Sequence, residues 1–181
     1  MPIYDCSLWE YLKISAAQGR QISMTIRFRL FKKILSGLRA IQDGGFRHLD
    51  IKPGNVMLRT RDGTRNGIWN EQDLRIIDYG LGGRINQQTG LAGTPGFASP
   101  EQLVGQAHNR SDNYSFGRLM VMIFAEWQPA WNLLFQPITD AERQNINLDP
   151  ALVDLFYVIT RLVQVNCKHI NIQESNETKH F

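Results

Sequence analysis

The segment FRHLDIKPGNVML, from Phe46 to Leu58, concentrates polar side chains between two apolar ends. It contains Asp50, Lys52 and Asn55, and a further aspartate, Asp78, follows the largely aliphatic run LRII. Carboxylate and amide oxygens suit hard cations, and Mg²⁺ prefers one or two carboxylates together with phosphate oxygens. A lysine two positions after Asp50 would add a positive charge beside a phosphate group. The residue types and their spacing therefore predict a site for a divalent cation and a phosphate.

The elements before this segment are predicted to be helices. Ser7 is a candidate N-cap for a short helix in SLWEYLKI, and Glu10 three residues later completes the spacing of a capping box. A longer helix is predicted in SMTIRFRLFKKILSGLRAIQDGG, where Gly44 and Gly45 supply the stop. Its apolar residues recur at intervals of three and four: Ile26, Leu30, Ile34, Leu38 and Ile41. These two helices would lead the chain into the polar segment.

Strands, a long loop and two further helices are predicted after the polar segment begins. The runs VML and LRIID flank a polar, glycine-containing stretch, so they are predicted to form a small hairpin. Residues 82–110 are rich in Gly, Gln, Asn and Thr, which predicts a long loop. Helices are predicted near residues 112–126 and in DPALVDLFYVITRLVQV, and residues 171–181 are expected to form a frayed polar tail.

Composition favours one globular unit without a nucleic-acid or membrane partner. A chain of 181 residues with 43% hydrophobic content can bury one sizeable core. Its formal charge is +3 and its basic residues are scattered, which indicates a solvated surface rather than a nucleic-acid-binding arm. The longest apolar segment, residues 116–127, contains Arg118 and is shorter than the ~20 residues of a membrane span. Cys6 and Cys167 lack metal-binding spacing, so reduced thiols in a cytoplasmic protein are expected.

Four motifs occur in one order along the chain. They are His48-Leu49-Asp50 with Lys52 and Asn55, Asp78-Tyr79-Gly80, the run GTPGFASPE at 93–101, and the run DNYSFG at 112–117. Each alone is weak, because such a tripeptide is usually a turn and Ser-Pro-Glu is usually a helix start. Together they resemble the catalytic loop, the metal-binding triplet, the end of the activation loop and the start of the central helix of eukaryotic protein kinases. The chain thus resembles the C-terminal lobe of a serine/threonine protein kinase.

The resemblance implies a mainly α fold of the α+β class, a helical lobe in which short β-hairpins carry the catalytic and metal-binding loops. The run MPIYDCSLWEYL resembles the hinge that holds adenine, followed by the first helix of that lobe. No glycine-rich phosphate loop, strand lysine of the Val-Ala-Ile-Lys type or partner glutamate can be found in the sequence. The expectation is a partial kinase domain over residues 1–170, without the N-terminal lobe, followed by the tail at 171–181.

Catalytic and metal-binding roles follow from the resemblance, position by position. Asp50 would accept the proton of a substrate hydroxyl, and Lys52 would neutralise the γ-phosphate of ATP. Thr94 would hydrogen-bond both of these side chains. The Mg²⁺ ligands would be Asn55 and Asp78. The pattern Asp-x-Lys-Pro-x-Asn resembles serine/threonine kinases, whereas tyrosine kinases generally place alanine and arginine there.

The resemblance also implies a nucleotide site: Ile3, Tyr4, Leu8, Met57, Lys52, Asn55 and Asp78. Hinge backbone would hydrogen-bond the adenine, and two of these residues, Leu8 and Met57, would form its apolar floor. Packing alone explains Leu8 and Met57 equally well. Asp50 and Asn55 also suit ordinary turns and caps, a solvated lysine needs no function, and a threonine before proline suits a turn.

Other motif residues are expected to be structural rather than chemical. His48 is expected to be a packed scaffold residue, and so is Tyr79, which stands where the metal-binding triplet usually has phenylalanine. Asp112 is expected to accept backbone N–H groups of the catalytic loop.

Two departures from the kinase pattern stand out. Leu49 replaces the arginine that normally receives an activation-loop phosphate, so phosphorylation is not expected to be an obligatory switch. The arginine that normally pairs with Glu101 is missing after the late helix, where Lys168 is the candidate substitute. A partly buried carboxylate without its partner is costly, so otherwise this end of the lobe would be weakened.

Two classes of function remain open. The first is a serine/threonine kinase lobe that uses ATP and Mg²⁺ to phosphorylate a protein hydroxyl. The second is a truncated, non-catalytic binding module, with self-association through the surface that would face the missing lobe. A small-molecule phosphotransferase is disfavoured by the segment at 93–101.

Overall fold

The structure is a computed structural model that describes residues 4–85, 87, 90–108 and 110–124. Within these ranges, helices contribute more residues than strands, which agrees with the expected mainly α fold. Several sequence predictions lie outside the described residues: those for Ile3, Cys167 and Lys168, the helix at 149–165 and the tail at 171–181.

The two N-terminal helices form where the sequence predicts them. Helix α1 spans Leu8–Ala17, and its predicted capping box is present: the Glu10 N–H donates to Ser7 Oγ at 3.2 Å and the Ser7 N–H donates to Glu10 Oε2 at 2.9 Å. Helix α2 spans Met24–Asp43 and is capped at its end by Gly44. The face of α2 that points into the core is the predicted one: Leu30, Ile34 and Leu38 are fully buried.

Two small antiparallel sheets position the polar loops. Strands β1 (Cys6–Ser7), β3 (Val56–Thr60) and β4 (Trp69–Ile76) form one sheet in the order β1-β3-β4. The predicted hairpin is therefore confirmed as β3 and β4. Strands β2 (Phe46–Arg47) and β5 (Gly83–Arg84) pair separately. Loop 48–55, which carries the first motif, thus leaves β2 and enters β3.

The prediction of one long loop over residues 82–110 is wrong in two places. Strand β5 lies at its start, and a short helix, α3, spans Pro100–Leu103. Ser99 caps α3 through a reciprocal capping box with Gln102. A two-residue strand and a four-residue helix are too short to show hydrophobic periodicity, so only the capping signal was available in the sequence.

The core is closed by helix α4, which spans Ser111–Phe124 and confirms the predicted apolar helix. Its last six residues, Leu119 to Phe124, are all buried. Its first turn is also buried, including the side chain of Asp112, although that end is polar. Across the described part of the chain, no helix combines the length and apolar character that a bilayer crossing requires.

Candidate active site

Asp112, at the start of α4, fixes the backbone of loop 48–55. Its Oδ2 accepts the His48 N–H and its Oδ1 accepts the Leu49 N–H, both at 2.7 Å. Leu49 has φ 63°, a left-handed conformation that costs free energy for a residue with a Cβ. The two buried hydrogen bonds hold it there, which confirms the structural contact predicted for Asp112.

We expect Asp112→Ala to lower the free energy of unfolding by about 2–6 kcal/mol, because two buried N–H groups would lose their acceptor. Asp112→Asn, which keeps one acceptor oxygen, should lose less. The matched control is Asp43→Ala, whose side chain is 71% exposed at the end of α2. Urea denaturation of the three variants measures the effect. Equal losses in Asp112→Ala and Asp43→Ala would contradict the anchoring role.

His48 is a packed scaffold residue, as predicted. It is fully buried, and its Nδ1 accepts the Asp50 N–H at 3.2 Å, so the ring hydrogen lies on Nε2. Nε2 donates to the carbonyl of Ile77 at 2.9 Å, and the ring packs 4.8 Å from the ring of Tyr79. His48 therefore connects loop 48–55 to the segment that carries Asp78.

Asp50 lies at the centre of a network of charged and polar side chains. Thr94 Oγ1 donates to Asp50 Oδ1 at 2.7 Å, and Lys52 Nζ lies 2.7 Å from Asp50 Oδ2. Lys52 Nζ also donates to Thr94 Oγ1 at 2.8 Å, so the three side chains close a ring. Asn55 Nδ2 donates to Asp50 Oδ2 at 3.0 Å. A carboxylate has about four lone-pair sites, so this network leaves one for a further donor.

The pKa of Asp50 reflects this network. Burial alone would raise the pKa of the carboxyl, but hydrogen bonds from Lys52, Thr94 and Asn55, with the Lys52 charge, hold it below its usual value. The carboxylate is therefore ionised at neutral pH. Because the pKa is lowered in the folded state, the network stabilises the fold above the ordinary pKa, and this contribution is lost as pH falls through the lowered value.

We expect Thr94→Val to raise the pKa of Asp50, because one donor to the carboxylate is removed while the side-chain shape is kept. The acid loss of folding stability that depends on Asp50 should become shallower. Titration of the Asp50 carboxyl by ¹³C NMR measures the change. Thr64→Val is the control, since Thr64 donates to Asp62 in an exposed turn. An unchanged Asp50 titration in Thr94→Val would contradict the hydrogen bond's role.

The residues expected to bind Mg²⁺ have suitable oxygen atoms. Asn55 uses Nδ2 to donate to the backbone oxygen and the carboxylate of Asp50, and no described residue donates to its Oδ1. Asp78 is exposed, and among described residues its carboxylate accepts only the Gly80 N–H at 3.4 Å. No three His, Cys, Asp or Glu side chains in the described ranges cluster to hold a metal alone. An amide and a carboxylate completed by phosphate and water oxygens fit Mg²⁺.

Backbone contacts on both sides of Asp78 attach it to loop 48–55. The Ile77 N–H donates to the carbonyl of Asn55 at 2.9 Å, and the Ile77 carbonyl accepts from His48. Asp78 itself has φ 67°, a second left-handed residue at this site. The structure thus brings Asp50, Lys52, Asn55 and Thr94 into direct contact, and it places Asp78 beside them through its neighbours.

The proposed adenine-contacting residues differ in exposure. Leu8 is fully buried in the core, so packing alone accounts for it, whereas Met57 is half-buried. Tyr4 is half-buried, and its hydroxyl accepts a hydrogen bond from Arg75 Nε at 3.1 Å. Met57 is therefore the residue of the predicted floor pair that keeps surface available for a ligand.

Glu101 has partners that differ from the expected arginine. Its Oε1 accepts from Ser111 Oγ at 2.8 Å and lies 3.3 Å from His108 Nε2. Its Oε2 has no hydrogen-bond partner among the described residues. Lys168, the substitute predicted from the sequence, lies outside them. Ser111 and His108 thus supply part of the compensation that a buried carboxylate requires.

Two residues at the site were not singled out from the sequence. Gln102 is fully buried, and its Nε2 donates to the carbonyl of Leu49 at 2.8 Å. Arg47 is also buried and donates to three backbone carbonyls. Each adjoins a recognised motif, Gln102 after Ser-Pro-Glu and Arg47 before His48. That adjacency was the available signal.

Comparisons with known proteins agree with this geometry. The family model described as protein kinase domain matches residues 3–178. Serine/threonine-protein kinase pkn2 of Myxococcus xanthus is 34% identical over 98 residues, covering 53% of this chain and 12% of that protein. DNA damage response protein kinase DUN1 of Saccharomyces cerevisiae is 30% identical over 121 residues, covering 60% of this chain and 24% of that protein.

A third relative, eukaryotic translation initiation factor 2-alpha kinase 1 of Plasmodium falciparum, is 37% identical over 102 residues, covering 55% of this chain and 6% of that protein. The match to each of the three thus spans no more than about a quarter of the relative's length. The chain belongs to the protein kinase family. That family generally uses ATP and Mg²⁺ and acts on protein substrates.

Proposed function

We propose that this chain is the catalytic lobe of a serine/threonine protein kinase, which transfers the γ-phosphate of ATP to a protein hydroxyl when the domain is complete. The observation that carries the proposal is the closed ring of Asp50, Lys52 and Thr94. It combines an ionised carboxylate with one remaining acceptor position and a fixed positive charge. Surface turn residues have no reason to be buried and oriented in this way.

Asp50 orients the attacking hydroxyl and accepts its proton. The lowered pKa makes the carboxylate a weak base, yet a reliably ionised one at neutral pH. A weak base suffices, because phosphoryl transfer passes through a loose transition state in which the nucleophile needs little activation. Positioning of the hydroxyl is therefore the main contribution of Asp50.

Lys52 and the two metal-ligating candidates act on the phosphate side. Lys52 Nζ is held between Asp50 and Thr94, from where it can neutralise charge on the transferring group. Asn55 Oδ1 and the exposed Asp78 carboxylate would hold Mg²⁺, which when bound bridges phosphate oxygens and neutralises their charge. The half-buried Met57 would contact the adenine.

The choice of serine and threonine over tyrosine rests on Lys52 and Thr94. Their hydrogen bond closes the ring beside Asp50, in the arrangement that the serine/threonine pattern of the sequence predicts. The printed name of the M. xanthus relative supports the same class.

The direct test is transfer of labelled γ-phosphate from ATP to a generic basic protein, followed by phosphoamino-acid analysis. The chain would be assayed with a nucleotide-binding kinase lobe fused ahead of Met1. We expect phosphoserine and phosphothreonine, and no transfer after Mg²⁺ is chelated. A folded, nucleotide-binding fusion without transfer would favour the non-catalytic binding module, and phosphotyrosine alone would overturn the specificity.

A further inference from the structure

Arg47 buries a guanidinium group between three parts of the lobe. The residue is only 1% exposed. It donates to the backbone oxygens of Arg84, at 3.2 Å, and of Gln87, both at the start of the activation segment, here residues 78–101. It also donates to the backbone oxygen of Ala107, at 2.6 Å, in the loop between α3 and α4. One side chain thus connects β2, the activation segment and that loop.

The acceptors of Arg47 are all neutral. Within the described residues it forms no ion pair, and its Nε has no hydrogen-bond partner. Burying a cation without a counter-charge is costly unless several hydrogen bonds compensate for the lost water. A site that keeps such a group gains something specific from its shape. The planar guanidinium presents donors in fixed directions that reach separate segments, which the single ammonium of a lysine cannot do.

Leu49 explains why another anchor is needed. It stands where most kinases have arginine, and it is fully buried with a side chain that has no donor. We propose that Arg47 is a positioning residue that anchors the start of the activation segment through backbone carbonyls, so that the segment keeps its place without a phosphate. The importance of this segment for substrate rests on the proposed function, whereas the anchoring itself does not.

The experiment measures native-state trypsin cleavage after Arg84, which is exposed in the anchored segment. Arg47→Met keeps the apolar stem and removes the donors. The matched control is Arg27→Met, because Arg27 is also buried and its Nη1 donates to the carbonyls of Ile123 and Phe124 in α4. Rates of formation of the peptide ending at Arg84 are compared by mass spectrometry, at a temperature where both variants are folded.

We expect cleavage after Arg84 to be about tenfold or more faster in Arg47→Met than in the parent chain, since charge-assisted hydrogen bonds to the segment are lost. Arg27→Met should leave that rate within about twofold of the parent. Equal acceleration in both variants would overturn the proposal, because it would mark a general loss of stability. If Arg47→Met does not fold, Arg47→Lys and Arg27→Lys give the same comparison.

A kinetic readout separates this inference from the proposed function. In the fusion that carries a nucleotide-binding lobe, Arg47→Met should raise the KM for protein substrate and leave the KM for ATP nearly unchanged. Equal increases in both KM values would count against a role confined to the activation segment. Faster cleavage after Arg84 in a fusion that transfers no phosphate would support the anchor and contradict the kinase activity.

Discussion

Replacing Asp50 with Asn in the fused, complete domain is expected to lower the rate of phosphate transfer by about 10²–10⁴ and to leave nucleotide affinity nearly unchanged. The amide keeps the size of the carboxylate and can still receive one hydrogen bond. It cannot accept the hydroxyl proton, and it loses the ion pair with Lys52. Because Asp50 faces the hydroxyl rather than the phosphates in the proposed arrangement, binding of Mg²⁺ and nucleotide should survive.

Asp78→Asn is the informative comparison for this prediction. Asp78 is exposed and its carboxylate is little used by the protein, so the change should weaken nucleotide binding in the presence of Mg²⁺. Asp43→Asn, an equivalent change at an exposed helix end, serves as the control and should alter neither quantity. Calorimetry with ATP gives the affinities, and steady-state turnover gives the rates. Equal losses of affinity in Asp50→Asn and Asp78→Asn would contradict the division of roles.

The parts of the site that could be predicted are those governed by local spacing and by the order of the motifs. The polar segment itself, with Asp50, Lys52 and Asn55, was apparent from residue types alone. The contacts of Thr94 and Asp112 with that segment came from the resemblance, since they join residues 44 and 63–64 positions apart. Spacing in the sequence carries no information about such distant pairs.

The parts that could not be predicted depend on where a side chain is directed in three dimensions. Arg47 looked like one of many scattered basic residues, because its burial follows from the pairing of β2 with β5, two strands of two residues each. Gln102 reaches Leu49 only because α3 is held against the loop. For Leu8, the sequence left packing and ligand contact equally open, and burial favours packing. Polar residues in short elements thus carry the least signal.

A polypeptide of residues 1–181 alone is expected to transfer phosphate extremely slowly or not at all, and fusion of a nucleotide-binding lobe is expected to restore activity. The sequence supplies a candidate base, metal ligands and Lys52, but it contains no glycine-rich loop or strand lysine to hold the phosphates from the other side. Each preorganised group of that kind is typically worth about 10²–10³ in rate, and losing several multiplies the effect.

The geometry of the described residues strengthens this expectation. Met57 is half-buried and Asp78 is exposed, so the surface that would meet a nucleotide is open to solvent. The Lys52 side chain is also 28% exposed. Water weakens the electrostatic interactions that stabilise a transferring phosphate, and active sites normally exclude it by closing. Nucleotide affinity should therefore be low as well, because adenine would be contacted on one face only.

The assay compares the purified chain, its fusion and the Asp50→Asn form of each, using labelled ATP and a generic basic protein after circular dichroism has confirmed folding. Transfer is expected from the fusion and not from its Asp50→Asn form. The chain alone should match its own Asp50→Asn form at the background rate. Robust transfer by the chain alone that disappears in Asp50→Asn would contradict the prediction, because it would mean that loop 48–55 and Asp78 suffice to bind and orient ATP without a second lobe.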